Sequence, residues 1–519
     1  MLGAYVASDL DLSSLQIPTH TQEGAHQFSE RLLHPSTDIK ELKSRQTPLL
    51  AIRRMDHTIL QTSLVQFKEA ESIFEEVHSS QDPLVEESTE QIVWNPGSMF
   101  GRLCNQSPLL LESLIAWKTL ALPAVTVLSP LFAILIPYAM LYMHGINPPI
   151  QEYLTSVRSI VRGAITIPSI FQSKGDQDRI GFVLESVYIC IMMGIFLSSL
   201  WTQVTSAMHL RTIAASLREK GTLLRSGIDA ALSLYTTLSQ APLRLRKGIR
   251  SLLMEGERVL EPFRHTTDSG IGLFARMWKH SNTLHDLHTW VGMVDVYVAI
   301  ASLQTICFPR WVTDTTQIDF KNLIHPALRH PISNDLKIQQ GAILTGPNRG
   351  GKSTFCKAVG LSLVCAQTWG FAFASNATLT PFARFETALS PADTLGRVSL
   401  FEAELTFAKD VLDSPERPLF VMMDEIFHST NAHDGVEASR VFLKRLYERP
   451  NTVSIISTHY RALAEEFKDV QSLQAHTIQQ KDRLEYTYKI IPGISTASSV
   501  MELLREKGLL KNPIPSTEP

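Results

Sequence analysis

The chain has 519 residues, 44% of them hydrophobic and 19% charged, with 48 Lys+Arg set against 51 Asp+Glu. That length suits about three domains, and the mixture of apolar and charged residues excludes a disordered or collagen-like polymer. A net charge of −3 excludes a nucleic-acid binder that works by bulk basicity, leaving only local basic faces for that role.

The amino-terminal MLGAYVASDLDLSS has neither a basic stretch nor a long apolar one, so no cleavable secretory signal is expected. Residues 1–118 read as an amino-terminal helical region. Within it, Thr62–Val77 has helical period, with Leu64, Phe67, Ile73, Phe74 and Val77 near one face. The triplets Phe67-Lys68-Glu69 and Phe74-Glu75-Glu76 fall in this same helical stretch. The composition then changes abruptly: Thr119–Gln151 and Ser186–Leu210 contain no Asp, Glu, Lys or Arg. Each run exceeds the roughly 20 apolar residues that cross a bilayer. Pro123, Pro130 and Pro137 inside the first run cost a soluble helix about 3 kcal/mol each and are better tolerated in lipid. Tyr138, Tyr142 and Trp201 near the run ends suit interfacial anchors. Residues 119–210 therefore read as a transmembrane hairpin with connecting loop 145–179; the alternative is a pair of helices buried in a large soluble core.

Residues 211–310 read as helical and amphipathic, with Arg244, Arg246, Lys247 and Arg250 clustered in Leu243–Leu253. That cluster suits DNA phosphates or anionic headgroups, or is a plain solvated face. The five cysteines (Cys104, Cys190, Cys307, Cys356, Cys365) form no CxxC pair and no ligand-like spacing with histidine, and read as a reduced intracellular set. From 311 to 519 short apolar runs alternate with helical stretches, the texture of an α/β domain.

The sharpest motif lies in that last part. Gly341–Thr345 reads as a strand, and Gly346-Pro347-Asn348-Arg349-Gly350-Gly351-Lys352-Ser353, followed by Thr354, fits G-x-x-x-x-G-K-[ST]. Such a loop wraps backbone N–H groups around phosphates at a helix start, with Lys352 reaching the β/γ-phosphates and Ser353 ligating Mg²⁺. Leu419–Met423 reads as a second strand, ending in Asp424 as an indirect Mg²⁺ ligand and Glu425 as general base. Val453–Ser457 is a third, ending in Thr458-His459, where His459 can sense a γ-phosphate. Polar residues at the carboxyl ends of parallel strands face the ligand crevice.

Together these residues resemble the carboxy-terminal ATPase domain of the MutS mismatch-repair family. GPNRGGKST (346–354) is similar to the family's GPNMGGKST, with Arg349 in place of Met. Asp424–Gly435 (DEIFHSTNAHDG) resembles D-E-I-G-R-G-T-S-T-x-D-G, with Phe427-His428-Ser429 in place of the small, basic G-R-G. Asp393–Glu404 (DTLGRVSLFEAE) resembles the signature G-x-S-T-F-x-x-E, with Ser399, Phe401 and Glu404 in register and Leu400 in place of Thr. His325-Pro326 and Asn334-Asp335 resemble elements around the adenine pocket. An aromatic residue just before Asn334 is lacking, so that adenine stacking either falls to His330 or is weak. Residues 290–310 resemble the last helix of the family's core domain, and 486–499 its closing strand and turn.

The resemblance implies a P-loop NTPase fold and an ATP- and Mg²⁺-dependent ATPase. It also implies a homo- or heterodimer through the ATPase domains, with Ser399 of the partner subunit completing each site and Asp434 at the subunit junction. It points to a DNA-binding mismatch-repair protein acting on duplex or branched DNA, although the match covers only about 285–505 and no mismatch-reading domain is recognisable. The alternatives are a membrane-anchored mechanochemical ATPase and a nucleotide-gated scaffold. The corresponding location is intracellular, at a membrane with the ATPase domain on the nucleotide-containing side, or else nuclear or soluble.

Overall fold

Up to Ser302 the backbone is helical: α1 (Val6–Asp9), α2 (Gln22–Leu32), α3 (Ile39–Ile52), α4 (Thr58–Ser79), α5 (Met99–Gln106), α6 (Pro108–Ala116), α7 (Leu122–Met143), α8 (Ile150–Ala164), α9 (Gln177–Ser239), α10 (Leu243–Gly248), α11 (Arg250–Leu260), α12 (Gly270–Lys279) and α13 (Ser281–Ser302). This computed structural model describes residues 1–79, 92–95, 98–164, 177–264, 270–389, 400–415, 417–480 and 483–497, with Leu504 and Lys507. They form two units. The first comprises Met1–Lys68, Ala231–Arg258 and His288–Pro519, and the second Glu69–Ala230 and Val259–Leu287.

The second unit is helical. Its α7 has two internal prolines, Pro130 and Pro137, and no buried residue. Pro137 breaks the backbone ladder, and close by the Tyr153 hydroxyl of α8 donates to the Ile134 carbonyl at 2.7 Å. The Tyr138 and Tyr153 rings also meet edge to face at 5.0 Å. The connection after α7 thus contains a helix, α8, packed back on α7. Along α9, Ile191, Met193, Ile195, Leu197 and Trp201 are all exposed. Among the described residues, two helical stretches, Pro108–Met143 and Cys190–Ser239, are long and apolar enough to cross a membrane, and only 6% of the apolar window in each is buried.

The first unit is built on strands. They are β1 (Arg310–Trp311), β2 (Ile318–Leu323), β3 (Asn334–Ile338), β4 (Gly341–Thr345), β5 (Asn376–Leu379), β6 (Arg384–Ala388), β7 (Leu419–Met423), β8 (Thr452–Ser457), β9 (Gln471–Gln480) and β10 (Arg483–Pro492). Among the described residues they are accompanied by the helices α14 (Lys352–Trp369), α15 (Leu400–Asp413), α16 (Ala432–Tyr447) and α17 (Arg461–Glu466). The larger sheet has the order β10-β9-β4-β8-β7-β6 and the smaller one β1-β5-β2-β3. Within the larger sheet β9, β4, β8, β7 and β6 pair in parallel, while β10 runs antiparallel to β9.

Every residue of β4, β7 and β8 is buried, as expected of parallel strands covered on both faces. Ile343, Val421, Met423 and Ile456 share a core with Phe427, Phe442, Leu443 and Leu446. Because β4, β8 and β7 are neighbours, the loops that follow them open at the same edge of the sheet. That juxtaposition creates the site.

Helices α1 to α3 belong to the same unit. Trp369, at the end of α14, is fully buried; it stacks on Phe28 at 5.8 Å and meets Tyr297 edge-on at 6.2 Å. Buried Asp295 of α13 accepts from the Thr21 N–H and hydroxyl at 2.7 and 2.8 Å. Near the chain start, Leu2 pairs with Phe385 of β6, and Asp9 accepts from the Leu389 N–H at 3.0 Å. In α4, Leu64, Phe67, Ile73, Phe74 and Val77 are buried, so the phenylalanines of the two Phe-x-Glu triplets are core residues, while Lys68, Glu69 and Glu75 are exposed.

Candidate functional site

The phosphate loop leads from β4 into α14. Gly351, the residue before α14, has φ 87° and makes no side-chain cap. A side chain is strained at that dihedral, and a Cβ would press on the Tyr488 ring at 3.3 Å. The first N–H groups of α14 therefore stay open to an anion, at the positive end of the helix dipole. Arg349, also left-handed at φ 68°, and Asn348 are the exposed residues of the loop. Gly350 closes the loop, its N–H donating to the Pro347 carbonyl at 3.1 Å.

Lys352 is buried, and its Nζ donates to the carbonyls of Gly346 at 3.1 Å and Pro347 at 3.4 Å. Burial pulls its pKa below the ordinary lysine value, against the opposing pull of Asp424 and Glu425. Ser353 Oγ donates to Asp424 Oδ2. Asp424 Oδ1 is buried and, among the described residues, has no hydrogen-bond partner. A hydroxyl, a carboxylate oxygen and an orphaned second oxygen form the hard-oxygen set that suits Mg²⁺. The residues present fit that ion.

Glu425 follows β7 in the left-handed region, φ 54°, and its Oε1 accepts from His459 Nε2 at 2.8 Å. Since a carboxylate only accepts, Nε2 carries the proton. The structure thus brings together the P-loop, Asp424, Glu425 and His459 from three adjacent strand ends. Ser399, expected from a partner subunit, lies outside the described residues.

Beside the loop is a cavity of about 470 Å³, lined by the stretch from Asn348 to Phe355 together with His325, Leu328, His330, Ile332, Glu425 and Tyr488. Burial and the nearby Lys357 hold the His325 pKa below the ordinary histidine value. Asn334 ties the small sheet to β10: its Nδ2 donates to the Tyr488 carbonyl at 3.2 Å, and its Oδ1 accepts from the Ile490 N–H at 2.7 Å. Asp335 pairs with Lys321 at 3.0 Å and accepts from the Asn322 N–H at 2.8 Å, so it braces the β2–β3 turn.

Tyr488 is the residue that sequence reasoning missed. It is exposed, left-handed at φ 54°, and lies over the loop's Gly351. Its spacing from the P-loop carried no signal, because β10 reaches the site only through its antiparallel pairing with β9.

This fold and loop define a P-loop nucleotide-binding domain of α/β class. Residues 342–515 match MutS domain V. The DNA mismatch repair protein MutS of Lactobacillus acidophilus is 27% identical over 274 residues, 49% of this chain and 32% of that protein. The DNA mismatch repair protein MutS of Solibacter usitatus is 30% identical over 186 residues, 34% of this chain and 21% of that protein. That of Shouchella clausii is 25% identical over 272 residues, 49% and 31% of the two chains. The match therefore spans about a third or less of these relatives' own length. Over residues 342–515 the chain is thus similar to the carboxy-terminal domain of the MutS family.

Proposed function

We propose that the chain binds and hydrolyses ATP with Mg²⁺, and that its ATPase domains pair around the nucleotide, Ser399 of the partner subunit completing each site. The observation that carries this reading is Asp424, one oxygen on Ser353 and the other buried and orphaned, at the mouth of a phosphate loop with Glu425 beside it. Ser353 and Asp424 hold the metal. Bound Mg²⁺ supplies charge neutralisation on the phosphate oxygens. Lys352 exchanges the carbonyls of Gly346 and Pro347 for phosphate oxygens, which lowers the cost of its buried charge. The open N–H groups of the loop and of the first turn of α14 cradle the phosphates. Glu425, held by His459, polarises the attacking water. Tyr488 offers its aromatic face to the base, the role the sequence left to His330.

The test is equilibrium binding and turnover of Mg-ATP. Wild type binds and hydrolyses; Glu425→Gln binds with the same affinity and turns over at least about 100-fold more slowly. A wild type that binds no Mg-ATP contradicts the proposal, and binding without turnover leaves the nucleotide-gated scaffold.

A second observation favours a membrane anchor as what this ATPase acts on or from. Helix α7, with 22 residues, is about 33 Å long at 1.5 Å per residue, matching a hydrocarbon core of about 30 Å. It is apolar on all sides and has no buried residue. In this reading α7 and the apolar part of α9 cross a bilayer. Carbonate extraction of the full chain tests it: retention in the membrane pellet is expected, and release into the wash contradicts it. DNA is the partner that the relatives' printed names indicate, and Arg244, Arg246, Lys247 and Arg250 form an exposed basic group on α10 and α11 that suits phosphates. DNA-stimulated turnover that fades with salt is the expected sign of that partner.

A further inference from the structure

The turn from Asp424 to Ser429 places two side-chain-bearing residues in the left-handed region, Glu425 at φ 54° and Phe427 at φ 50°. Such a conformation persists only where surrounding groups over-determine it. His428 Nδ1 lies 2.8 Å from the Glu425 carbonyl oxygen. Because a carbonyl only accepts, Nδ1 carries the proton. The same Nδ1 lies 3.3 Å from Glu404 Oε1 of α15, and the other oxygen of Glu404 accepts from Ser429 Oγ at 2.5 Å. The Glu404 side chain is only 17% exposed, so its carboxylate depends on these partners.

Apolar packing runs beside the polar contacts. Phe401, one helical turn before Glu404, meets Phe427 edge to face at 6.1 Å. The Tyr460 hydroxyl, beyond His459, donates to the Phe427 carbonyl at 3.3 Å. Gly435 leaves room for that contact, since a Cβ there would collide with both the Tyr460 hydroxyl and the Phe427 carbonyl.

We infer that Glu404 and His428 are positioning residues for Glu425. Glu404 is anchored on α15 and sets its carboxylate 3.3 Å from His428 Nδ1, an electrostatic contact that orients the imidazole so that it can hold the Glu425 carbonyl. Glu425 is then gripped at its backbone by His428 and at its carboxylate by His459. Neither Glu404 nor His428 lines the nucleotide cavity among the described residues, so neither touches the nucleotide directly and the effect proposed for each is on the placement of Glu425. This inference rests on the ATPase reading given above.

The experiment is steady-state ATP hydrolysis and Mg-ATP binding by the full chain carrying His428→Ala, Glu404→Ala, both together, His428→Asn or His428→Gln, with Glu425→Gln alongside. A misplaced reacting group costs up to about 100-fold in rate. Each alanine variant is therefore expected to lose about 10- to 100-fold in kcat, with Kd and KM within about 3-fold of wild type. The double variant should lose no more than the worse single one, because the two residues act as one unit. Asparagine places an N–H donor where Nδ1 sits and restores kcat to within about 3-fold; glutamine does not.

Unchanged kcat in folded His428→Ala and Glu404→Ala, while Glu425→Gln is inactive, overturns the inference and leaves the ATPase reading standing. Unchanged turnover in Glu425→Gln overturns that reading itself. Where the alanine variants do not fold, asparagine against glutamine decides, and equal activity of the two overturns the inference.

Discussion

The phosphate crevice and the apolar helices α7 and α9 supply partners to their side chains in opposite ways. In the crevice, polar groups meet protein partners at short range: Ser353 meets Asp424, His459 meets Glu425, and Asn334 meets the backbone of Tyr488 and Ile490. The group left over, Asp424 Oδ1, marks where a cation fits. Along α7 the side chains are apolar and none is buried, and in α9 Ile191, Met193, Ile195, Leu197 and Trp201 are exposed. In the membrane reading proposed above, lipid is the missing partner there. A few well-placed polar atoms thus specify a ligand, whereas a long uniform surface specifies only a kind of solvent.

The sharpest way to break the first half of this comparison is Lys352→Ala. It removes the buried cation that faces the phosphates, and ATP affinity should fall about 100-fold, since charge-assisted hydrogen bonds contribute about 1.5–3 kcal/mol each. Titration calorimetry checks this, and an unaltered Kd would separate the loop from nucleotide binding. The second half breaks at Leu131→Lys, on the exposed surface of α7. A lysine at mid-helix costs about 3 kcal/mol of membrane insertion, so the variant should shift toward the soluble or degraded fraction. Undiminished membrane retention would count against the lipid assignment.

Smaller effects sharpen the picture of the cavity. Tyr488→Ala should weaken ATP binding about tenfold, as loss of one base–aromatic stack is worth about 1–3 kcal/mol, while Tyr488→Phe leaves it unchanged. The smallest effect concerns pH. His325 has its pKa held down in the folded state, so the unfolded chain binds that proton more readily. Its contribution to stability is present above the ordinary histidine pKa of about 6.5 and is lost as pH falls below it. Denaturant unfolding at pH 7.5 and pH 5.5 should therefore show a smaller acid loss in His325→Gln than in wild type.

Much of the site was legible because its chemistry is local in sequence. GPNRGGKST, Asp424-Glu425 and Thr458-His459 each close an apolar run, and β4, β7 and β8 form as those runs suggest. Tyr488 was not legible, because its place over Gly351 depends on β10 folding back on β9 and on Asn334 binding it across the two sheets. The packing of Phe28 and Tyr297 on Trp369 was equally hidden, since nothing near any of these aromatics names its partner. His428 stood out in the sequence as a departure from the family's G-R-G, but only the fold shows that it meets Glu404 and the backbone of Glu425.

The most direct test of the central claim compares wild type with Glu425→Gln in one experiment, measuring Mg-ATP binding and single-turnover hydrolysis. The account predicts equal binding, with hydrolysis at least about 100-fold slower in the variant. Equal hydrolysis rates, or no binding of Mg-ATP by wild type, would contradict it.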